Sequence, residues 1–514
     1  MQPLKITLYI WLTIALLGVV CLIAPENGWK IGNQTLRWPT IAQVLDPNSQ
    51  SSALTDSTWI ANLEDSTILV DSTTICTSLT KSLTVSDSSS VNYETTLVAA
   101  PDSFAILEED RDIQIDPHYY LTAFYEALDS ADVMQVRVVH YGDSQIEEDR
   151  ITSSLREHWQ AIYGGGGVGL LPLHQTIPTM SLRQSLSMNG GIQSTQGGPK
   201  RYLIYGPSSM RMKDNDYGVM GQVAALNNNL VSGSQNVIMK VSPYDKKIKN
   251  FNYFSQIRVV GENVKVSITQ PVTEIKDSLV ERTTIFSVPD STTQCHIQFK
   301  GKGNVYGVSL ETPTGVIVDN IPMRGCSGSI FTRIDSVMLS DFYRESNTRL
   351  IILQYGGNMI PQTKNRSTVR GYIETLRKQI HFLRSCAPYA SILFIGPSDM
   401  STRINGVMTT YPMVPYMDQL LAQMAAEEGI AYWSMYNAMG GHGSMVQWKK
   451  NGLAGSDYVH FTRTGAKKVG KMLCEWFDWE PQIEDSPVDT LQIDTPIVST
   501  PETIQPTQLD STQQ

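Results

Sequence analysis

An uninterrupted apolar strand, Leu350-Ile351-Ile352-Leu353, is the feature that most constrains the fold of this chain. A strand without polar alternation is typical of a parallel sheet, because helices cover both faces of such a sheet. This apolar strand is predicted to span about 350–354. Further short strands are predicted near 135–140, 315–318, 391–395 and 430–433. We therefore expect an α/β core in the middle of the chain.

Charge is distributed unevenly along the 514 residues. The formal net charge is −10, yet residues 1–43 carry +2, residues 44–110 carry −10, the tail 481–514 carries −6 and the block 111–480 carries +4. An acidic chain argues against nucleic acid as the partner, since nucleic-acid binding needs clustered Lys and Arg. The six cysteines form no CxxC pair, which excludes a disulfide-dense scaffold and a cysteine-based zinc site.

The first 25 residues contain an uncharged run, Ile6–Pro25, that follows Lys5. About 20 apolar residues suffice to cross roughly 30 Å of hydrocarbon as a helix. Because Leu22-Ile23-Ala24 is a poor cleavage site, we favour an uncleaved signal-anchor over a cleaved signal peptide. The expected location is the cell envelope, periplasmic or otherwise extracytoplasmic. There the protein would be anchored to the membrane by this helix, or secreted after its cleavage.

Two segments have compositions that cannot bury a core. Residues 26–110 form an acidic tether rich in Ser and Thr, with 21 of these residues between 51 and 100. Residues 481–514 combine Pro, Thr, Gln and Asp without any periodicity. We expect both segments to be mostly disordered spacers.

Ser144 follows the predicted strand at 135–140 and a turn that contains glycine, Tyr141-Gly142-Asp143. A helical pattern of apolar residues runs from Glu147 to Ala161. Ser144 is therefore predicted at a helix N-terminus, where a free backbone N–H and the helix dipole favour negative charge. Such a position suits a nucleophile whose intermediate is an oxyanion, although Gly-Asp-Ser turns are common on their own.

Three further signals lie downstream. Asp457 and His460 stand three residues apart before the helical segment Thr464–Phe477, a spacing that lets the carboxylate hold Nδ1–H and leaves Nε2 for a serine hydroxyl. Asn358 ends the apolar strand and could donate its amide to an oxyanion. A glycine within Asn320–Gly328, before a helical pattern at 330–342, could offer a backbone N–H at close approach.

Together these four features resemble the sequence blocks of the SGNH (GDSL-like) hydrolase superfamily, which supply a serine, a glycine, an asparagine and an Asp-x-x-His pair in this order. The resemblance implies a flavodoxin-like three-layer α/β sandwich with a parallel sheet. It also implies that Ser144 is the nucleophile, that His460 is the general base and that Asp457 orients the histidine. Active sites in such sheets lie at the carboxyl ends of the strands.

By the same resemblance, the oxyanion hole would consist of the N–H groups of Ser144 and Gly325 and the side chain of Asn358. Gly325 is preferred to Gly328 because the family often has an asparagine five residues before its glycine, as Asn320 is here. The chain departs from the family at Gln145, where Leu is commonest, and at Met359, where Asp often follows the asparagine; both departures put the lipase branch in doubt. The sequence has no Gly-x-Ser-x-Gly elbow, which argues against an ordinary α/β-hydrolase.

Secondary site candidates stand beside these blocks, at another strand end or on a glycine-rich loop: Asp143, Gly357, Asp399 and His442. No metal ligand is predicted, because the acids Glu147, Glu148 and Asp149 are explained by a favourable position in a first helical turn. The glycine-rich run 163–169 follows a helix rather than a strand and lacks a Lys-Ser/Thr pair. It therefore predicts a loop beside the site rather than a nucleotide site.

About 130 residues between the first two blocks have a different character. Six strand-like segments, separated by Gly, Asn, Asp or Pro, predict an all-β sandwich or jelly roll; they are 236–241, 256–260, 264–269, 284–288, 296–299 and 305–310. The predicted hydrolase domain comprises 111–188 and 319–480, and the insertion comprises 189–318. This layout is similar to that of peptidoglycan O-acetylesterases of the superfamily, in which a carbohydrate-binding-module-like β domain interrupts the catalytic domain. Four tyrosines are possible sugar platforms: Tyr217, Tyr244, Tyr253 and Tyr306.

The resemblance implies a carboxylic ester hydrolase, an SGNH-type acetylesterase that needs no metal or organic cofactor. Its expected substrate is an O-acetylated polysaccharide of the cell envelope, with peptidoglycan preferred. Two alternatives stay open. The same triad could pass an acetyl group to a sugar, which would suit an O-acetyltransferase with a membrane-bound acyltransferase partner. The chain could also be a non-catalytic glycan-binding scaffold.

Overall fold

A computed structural model describes residues 29–31, 34–36, 116–188, 191–192, 199–226, 237–244, 253–271 and 282–478. The predicted membrane segment 1–25, nearly all of the tether and the tail 481–514 lie outside the described residues, and their predicted properties stay predictions. Within the described ranges, no helix is both long and apolar enough to span a bilayer.

The strands are numbered here in chain order. They are β1 Trp29–Ile31, β2 Gln34–Leu36, β3 Gln135–Gly142, β4 Gly169–Leu171, β5 Leu182–Met188, β6 Gly191–Ile192, β7 Lys200–Leu203, β8 Gln222–Leu226, β9 Val237–Pro243, β10 Phe254–Gln270, β11 Thr283–Thr292, β12 Cys295–Glu311, β13 Gly315–Pro322, β14 Thr348–Gln354, β15 Ser391–Ile395, β16 Ser401–Ile404, β17 Val407–Thr410 and β18 Ala431–Trp433.

The α-helices are numbered in the same way, and short 3-10 helices lie between them. The α-helices are α1 Thr122–Leu128, α2 Thr152–Tyr163, α3 Ser336–Glu345, α4 Arg366–Cys386, α5 Val414–Glu428, α6 Met435–Ala438, α7 Ser444–Lys450 and α8 Arg463–Phe477. The 3-10 helices are Pro117–Leu121, Ser144–Asp149, Ser208–Met210, Phe331–Arg333 and Ile360–Gln362.

The core of the fold is a five-stranded sheet with the order β13-β3-β14-β15-β18, and all four strand pairs are parallel. These are the five strands predicted from the apolar runs. Nearly every residue of β3, β14 and β15 is buried, as expected for a sheet that is covered on both faces. The predicted α/β fold is confirmed.

Helices cover this sheet on both sides, giving three layers. On one face, α1, α2 and α8 pack their apolar residues against alternate side chains of the strands, such as Val138 and Ile352. On the other face, α3, α4 and α5 pack against the intervening side chains, such as Tyr141 and Ile351. The period of two along each strand thus divides its side chains between two separate cores.

A second sheet is antiparallel and contains nine strands, β4 to β12. Its two longest strands, β10 and β12, have 17 residues each and pair along most of their length. The six predicted strand segments all lie in it, with two of them joined in β10 and two in β12. The predicted all-β insertion is confirmed, but the sheet begins at Gly169 and ends at Glu311, whereas the insertion was predicted as 189–318. The segment 315–318 belongs to the parallel sheet instead.

A buried ionic cluster joins the two sheets. Arg137 of β3 donates to both carboxylate oxygens of Asp319 at 2.7 and 2.9 Å, and it also pairs with Glu311 of β12. Arg258 of β10 donates to the other oxygen of Glu311 at 2.9 Å. Burial acts to raise the pKa of Glu311, but the guanidinium groups of Arg258 and Arg137 lower it to about 2. The carboxylate is therefore ionised inside the protein, which keeps the two sheets electrostatically linked.

Candidate active site

The carboxyl ends of three neighbouring strands lie in register at one edge of the parallel sheet. Gly142 of β3 pairs with Pro322 of β13 on one side and with Gln354 of β14 on the other. The loops that follow these three strands contain the predicted serine, glycine and asparagine. Sequence positions that are about 180 to 215 residues apart therefore meet at one edge, as the rule for open α/β sheets requires.

Ser144, His460 and Asp457 form a continuous hydrogen-bond relay. The hydroxyl Oγ of Ser144 lies 2.7 Å from Nε2 of His460, and Nδ1 of the same ring lies 2.8 Å from Oδ2 of Asp457. This order matches the roles of a nucleophile, a general base and a carboxylate that fixes the tautomer of the base. The structure thus brings the three predicted residues together in the arrangement that the sequence spacing indicated.

Asp457 is held ionised by its neighbours. Partial burial acts to raise the pKa of its carboxyl group, but hydrogen bonds from the His460 ring and from the backbone N–H groups of His460 and Val459 lower it below the ordinary value. Both N–H groups donate to Oδ1 at 3.1 Å, which leaves Oδ2 for the imidazole. A negative charge is therefore maintained next to the ring that must become positive during acyl transfer.

Two side chains tie the serine turn to the histidine loop. Gln145 donates from Nε2 to the carbonyl oxygen of Val459 at 2.7 Å. Arg150 donates to the carbonyl oxygens of Phe461 at 3.1 Å and of Ser144 at 3.4 Å. These contacts fix the distance between nucleophile and base from both sides of the relay. Gln145, which stands where the family most often has Leu, thus connects the serine turn to the histidine loop.

Asp143 and Asn358 form a pair next to the nucleophile. Asn358 donates from Nδ2 to Oδ2 of Asp143 at 3.0 Å and to the carbonyl oxygen of Cys326 at 3.1 Å. Asp143 also accepts the backbone N–H of Gln145 at 2.9 Å, as the N-cap of the 3-10 helix that Ser144 begins. Burial raises the pKa of Asp143 to about 6, although the Gln145 N–H, the nearby His460 and Asn358 act to lower it. Asp143 therefore orients the amide predicted for the oxyanion hole.

The two candidate glycines have different surroundings. Gly325 is exposed, has φ +75° and would have no atom within 4 Å of an added Cβ. Gly328 is buried, and a Cβ there would lie 2.8 Å from the ring of Tyr355. Gly325 also lines the same cavity as Ser144 and Asn358. The preference for Gly325 as the N–H donor fits these positions, because Gly328 is a packing residue.

A cavity of about 1030 Å³ opens at this edge of the sheet. Its lining includes six of the predicted site residues: Asp143, Ser144, Gly325, Gly357, Asn358 and His460. Residues of the antiparallel sheet, such as Leu171 of β4 and Arg201 of β7, line the same cavity. The cavity therefore lies between the two sheets, with the serine on the side of the parallel sheet.

Asp399 and His442 lie outside the lining of the cavity. The buried carboxylate of Asp399 accepts the backbone N–H of Met445 at 2.7 Å and the hydroxyl of Ser444 at 3.3 Å, so that it caps α7. Burial raises its pKa above the ordinary value, against the hydrogen bonds it accepts and the nearby His442. Asp399 is therefore a helix-capping residue, and neither candidate contributes to the cavity lining.

The three acids after Ser144 have partners that sequence reasoning missed. Glu147 accepts a two-pronged interaction from Arg324, with Nε at 2.7 Å and NH2 at 2.5 Å. Asp149 pairs with the buried Arg156 at 2.5 Å. The predicted helix from Glu147 is interrupted here, because Glu147 has extended ψ and Glu148 has φ +62°, and α2 begins only at residue 152. Ion pairs, rather than a helix dipole, therefore account for the acidic residues at these positions. The only sequence signal for such a pair was Arg324, which stands next to Gly325.

Three further features near the site have structural roles. His140 is buried between Thr152 and Gln354, and burial lowers the pKa of its ring to about 3. Burial also raises the pKa of the Cys326 thiol to about 12, which leaves it unsuited to nucleophilic attack. The glycine-rich run packs tightly: a Cβ on Gly165 would lie 2.6 Å from the backbone of Val316.

The four tyrosines considered as sugar platforms divide into two pairs. Tyr217 and Tyr306 are fully buried, so that neither ring face is open to a ligand. Tyr244 and Tyr253 are 43% and 37% exposed and remain candidates by accessibility, although Tyr253 donates its hydroxyl to Gly165. Among the residues that the structure describes, no group of three or more His, Cys, Asp or Glu is placed to hold a metal ion.

Comparisons with known proteins agree with this architecture. No family model matches the sequence, and neither does any curated protein. A solved peptidoglycan O-acetylesterase is similar in structure at 17% identity and a TM-score of 0.52, over 71% of this chain and 95% of that chain.

Two acetyl xylan esterases are similar over about a third of the chain. One has 12% identity and a TM-score of 0.25 over 31% of this chain and 81% of its own. The other, from Geobacillus stearothermophilus, has 16% identity and a TM-score of 0.24 over 32% and 74%. The fold assignment rests on the likeness to the peptidoglycan O-acetylesterase. The protein therefore has a three-layer α/β fold with a parallel sheet and an antiparallel β insertion, which is the fold expected from the sequence resemblance.

Proposed function

We propose that the protein is a serine esterase that removes O-acetyl groups from a cell-envelope glycan, with peptidoglycan as the substrate. The observation that carries this proposal is the hydrogen-bond relay from Asp457 through His460 to Ser144 at the wall of a large cavity. A volume of about 1030 Å³ accommodates several sugar units. The likeness to a peptidoglycan O-acetylesterase supports the choice of an acetylated glycan.

The reaction follows from the order of the three side chains. Oγ of Ser144 attacks the acetyl carbonyl carbon while Nε2 of His460 takes the hydroxyl proton. The bond between the carbonyl carbon and the sugar oxygen then breaks, and His460 returns the proton to that oxygen. A water molecule, deprotonated by His460, then attacks the acetyl carbon; the bond from this carbon to Oγ of Ser144 breaks, His460 returns the proton to Oγ, and acetate leaves. Asp457 stabilises the imidazolium in both steps without accepting its proton.

Negative charge on the acetyl oxygen needs donors that are already in place. The backbone N–H groups of Ser144 and Gly325 and the amide of Asn358 are the proposed donors, since all three residues line the cavity beside the nucleophile. Asp143 accepts one N–H of the Asn358 amide at 3.0 Å, and the second N–H, which donates to the carbonyl oxygen of Cys326 at 3.1 Å, would be shared with the acetyl oxygen. Donors fixed before the reaction stabilise the transition state without reorganisation, and loss of one typically lowers kcat by about 10²–10³-fold.

The proposal is tested by acetate release from O-acetylated peptidoglycan and from acetylated xylan, using the purified full-length protein. We expect faster release from peptidoglycan and a loss of about a thousandfold or more in Ser144→Ala and His460→Ala, because each removes a member of the relay. Ser385→Ala, at an exposed position of α4, is the matched control and should retain full activity.

Three outcomes would overturn parts of the proposal. Undiminished acetate release by Ser144→Ala would refute the mechanism. Faster release from xylan would refute the substrate. Acetyl transfer to an added sugar that outpaces acetate release would assign the chain to the O-acetyltransferases, with a membrane-bound acyl donor as partner.

We also propose that the protein works on the outer side of a membrane, to which the segment 1–25 anchors it. The support is the uncharged run of this segment and the long acidic tether that separates it from the folded block. Membrane fractionation of the full-length chain and of a chain that starts after residue 25 tests this location. Equal recovery of both chains in the soluble fraction would contradict it.

A further inference from the structure

Two arginines that have no role in the relay line the candidate active-site cavity. Arg201 belongs to β7 of the antiparallel sheet, and Arg211 follows the 3-10 helix Ser208–Met210. Both side chains line the same cavity as Ser144 and His460, and both are partly buried. Neither takes part in the relay or in its supporting hydrogen bonds, so that their presence calls for a separate explanation.

The acidic side chains of the same cavity already have partners. Four carboxylates contribute to its lining, and each is held by a cation or by hydrogen-bond donors. Glu147 binds Arg324 at 2.5 Å, Asp149 binds Arg156 at 2.5 Å, Glu148 lies 3.6 Å from Arg463, and Asp143 accepts hydrogen bonds from Asn358 and Gln145. These acids therefore leave little negative charge to balance Arg201 and Arg211.

Arg201 is fixed in place by neutral groups. Its Nε donates to Oε1 of Gln222 at 3.1 Å, and NH1 donates to the hydroxyl of Thr176. Its guanidinium also forms a hydrogen bond with Tyr205, another residue of the cavity wall. Across the described ranges of the chain, no carboxylate forms an ion pair with Arg201. The positive charge is thus oriented but not neutralised.

Arg211 has a similar setting. Its Nε donates to the carbonyl oxygen of Gly206 at 2.8 Å, which holds the side chain against its own loop. The nearby Arg333 adds positive charge rather than compensating it: burial and then Arg211 lower the pKa of Arg333. In the part of the chain that the structure describes, Arg211 also forms no ion pair with a carboxylate. This part of the cavity lining therefore has an excess of positive charge.

A guanidinium that is fixed by neutral acceptors and faces a cavity is suited to bind an anion. Its planar donors match a carboxylate, and charge-assisted hydrogen bonds are about twice as strong as neutral ones. Prior fixation by Gln222 and Thr176 also reduces the entropy that binding would otherwise cost. These features point to a ligand that carries negative charge next to the group being hydrolysed.

We infer that Arg201 and Arg211 form an anion subsite that binds a carboxylate of the acetylated glycan. The inference rests on the proposed esterase function and narrows its substrate to sugars that bear a carboxyl group. The sugar would lie across the cavity, with its acetyl ester at Ser144 and its carboxylate at the arginine wall. Neutral acetylated glycans would lack the second contact and would be poorer substrates.

The test compares two substrates that differ only in charge. They are O-acetylated N-acetylmuramic acid, with its free lactyl carboxylate, and the same sugar with that carboxylate converted to a primary amide. We expect the full-length protein to prefer the acid in kcat/KM by about tenfold or more. Arg201→Gln and Arg211→Gln should each reduce this preference, and the double variant should bring it close to one. Arg183→Gln, which removes an exposed arginine of the same antiparallel sheet outside the cavity lining, should keep the preference.

Failure of the subsite and failure of the esterase are distinguishable. If the protein hydrolyses both sugars at the same kcat/KM and loses that activity in Ser144→Ala, the esterase stands and the anion subsite is refuted. A preference that survives unchanged in the double arginine variant also refutes the subsite. If neither sugar nor 4-nitrophenyl acetate is hydrolysed, the proposed function itself fails.

Discussion

Gly325 and Gly328 show how two residues of the same type in one loop serve different purposes. Both have φ near +80°, but only Gly328 lies against a buried side chain, the ring of Tyr355. An alanine at either position adopts a left-handed conformation that costs about 1–2 kcal/mol. At Gly328 the added methyl group also overlaps the ring, and overpacking costs about 1–3 kcal/mol more.

We therefore predict that the two alanine variants differ in which property they lose, kcat or unfolding free energy. Gly325→Ala should lower kcat by about tenfold with a loss of unfolding free energy of only about 1–2 kcal/mol, because it disturbs the proposed N–H donor without a clash. Gly328→Ala should lose about 2–5 kcal/mol of unfolding free energy. Urea denaturation and kcat, measured on both variants, check this. A larger stability loss in Gly325→Ala than in Gly328→Ala would contradict it.

The three members of the hydrogen-bond relay could be predicted because their sequence signals are short. Asp457 and His460 lie within four residues, and Ser144 follows directly on a recognisable strand and turn. The pair Glu147–Arg324 could not be predicted, because its members are 177 residues apart and meet only once β3 and β13 are aligned. Local sequence also favoured a helix where Glu148 adopts φ +62°.

At the scale of elements, the Glu147–Arg324 pair connects the 3-10 helix that begins at Ser144 with the loop that contains Gly325. Glu147 is buried, whereas the side chain of Arg324 is 66% exposed. The pair therefore acts as a positioning contact: it sets the distance between the nucleophile and one proposed oxyanion donor. Its geometry depends on two parallel N–H···O bonds, which only arginine can supply.

We predict that Arg324→Ala lowers kcat by about tenfold and changes KM much less, because the contact positions catalytic groups rather than substrate. Arg324→Lys should recover only part of the rate, since a lysine cannot form both bonds. In a double-mutant cycle, Glu147→Gln should add little to Arg324→Ala. Arg344→Ala, which removes an exposed arginine paired with Asp341, is the matched control. Additive effects of the two changes would contradict a positioning role.

The same scale explains which strands were recognisable in the sequence. The five parallel strands were predicted because burial on both faces enriches each of them in consecutive apolar residues, most clearly at Leu350–Leu353. The long strands β10 and β12 were each predicted as two strands. In β10, a turn is predicted at Gly261-Glu262-Asn263. The structure instead shows one continuous strand, in which the register is irregular at these residues and Asn263 has a left-handed conformation. A β-bulge interrupts the alternation of side chains and so imitates a loop in the sequence.

At the scale of the whole molecule, the buried cluster around Glu311 joins the two sheets. The pKa of Glu311 is lowered from an ordinary 4.5 to about 2, so that the folded state binds this proton less readily than the unfolded chain. Its contribution to stability is therefore fully present above about pH 4.5 and is lost as the pH falls towards 2. Arg137 and Arg258 would then be left with a neutral partner in the protein interior.

We predict that Glu311→Gln loses about 3–5 kcal/mol of unfolding free energy at pH 7, because it leaves the buried guanidinium of Arg258 without its counter-charge and leaves Arg137 with Asp319 alone. The variant should also lose less stability than the unchanged protein between pH 5 and pH 3, since its residue 311 no longer titrates. Denaturation at several pH values measures both effects. Glu374→Gln, at an exposed carboxylate next to Arg377, should change stability by less than about 0.5 kcal/mol. Equal losses in the two variants would argue against the buried cluster as a stabilising contact.

The position of Glu311, four residues before β13 begins, has a practical consequence for protein engineering. Suppose that the segment between 189 and 318 is exchanged for the antiparallel sheet of another enzyme. The exchange would separate β4 from β12 and β5 from β9, and it would remove Glu311, the partner of Arg137. A graft that exchanges 169–311 together with the side chain at 137 would preserve both the strand pairing and the charge balance. Substrate preference should therefore be altered by replacing cavity-wall side chains rather than by swapping the insertion as a module.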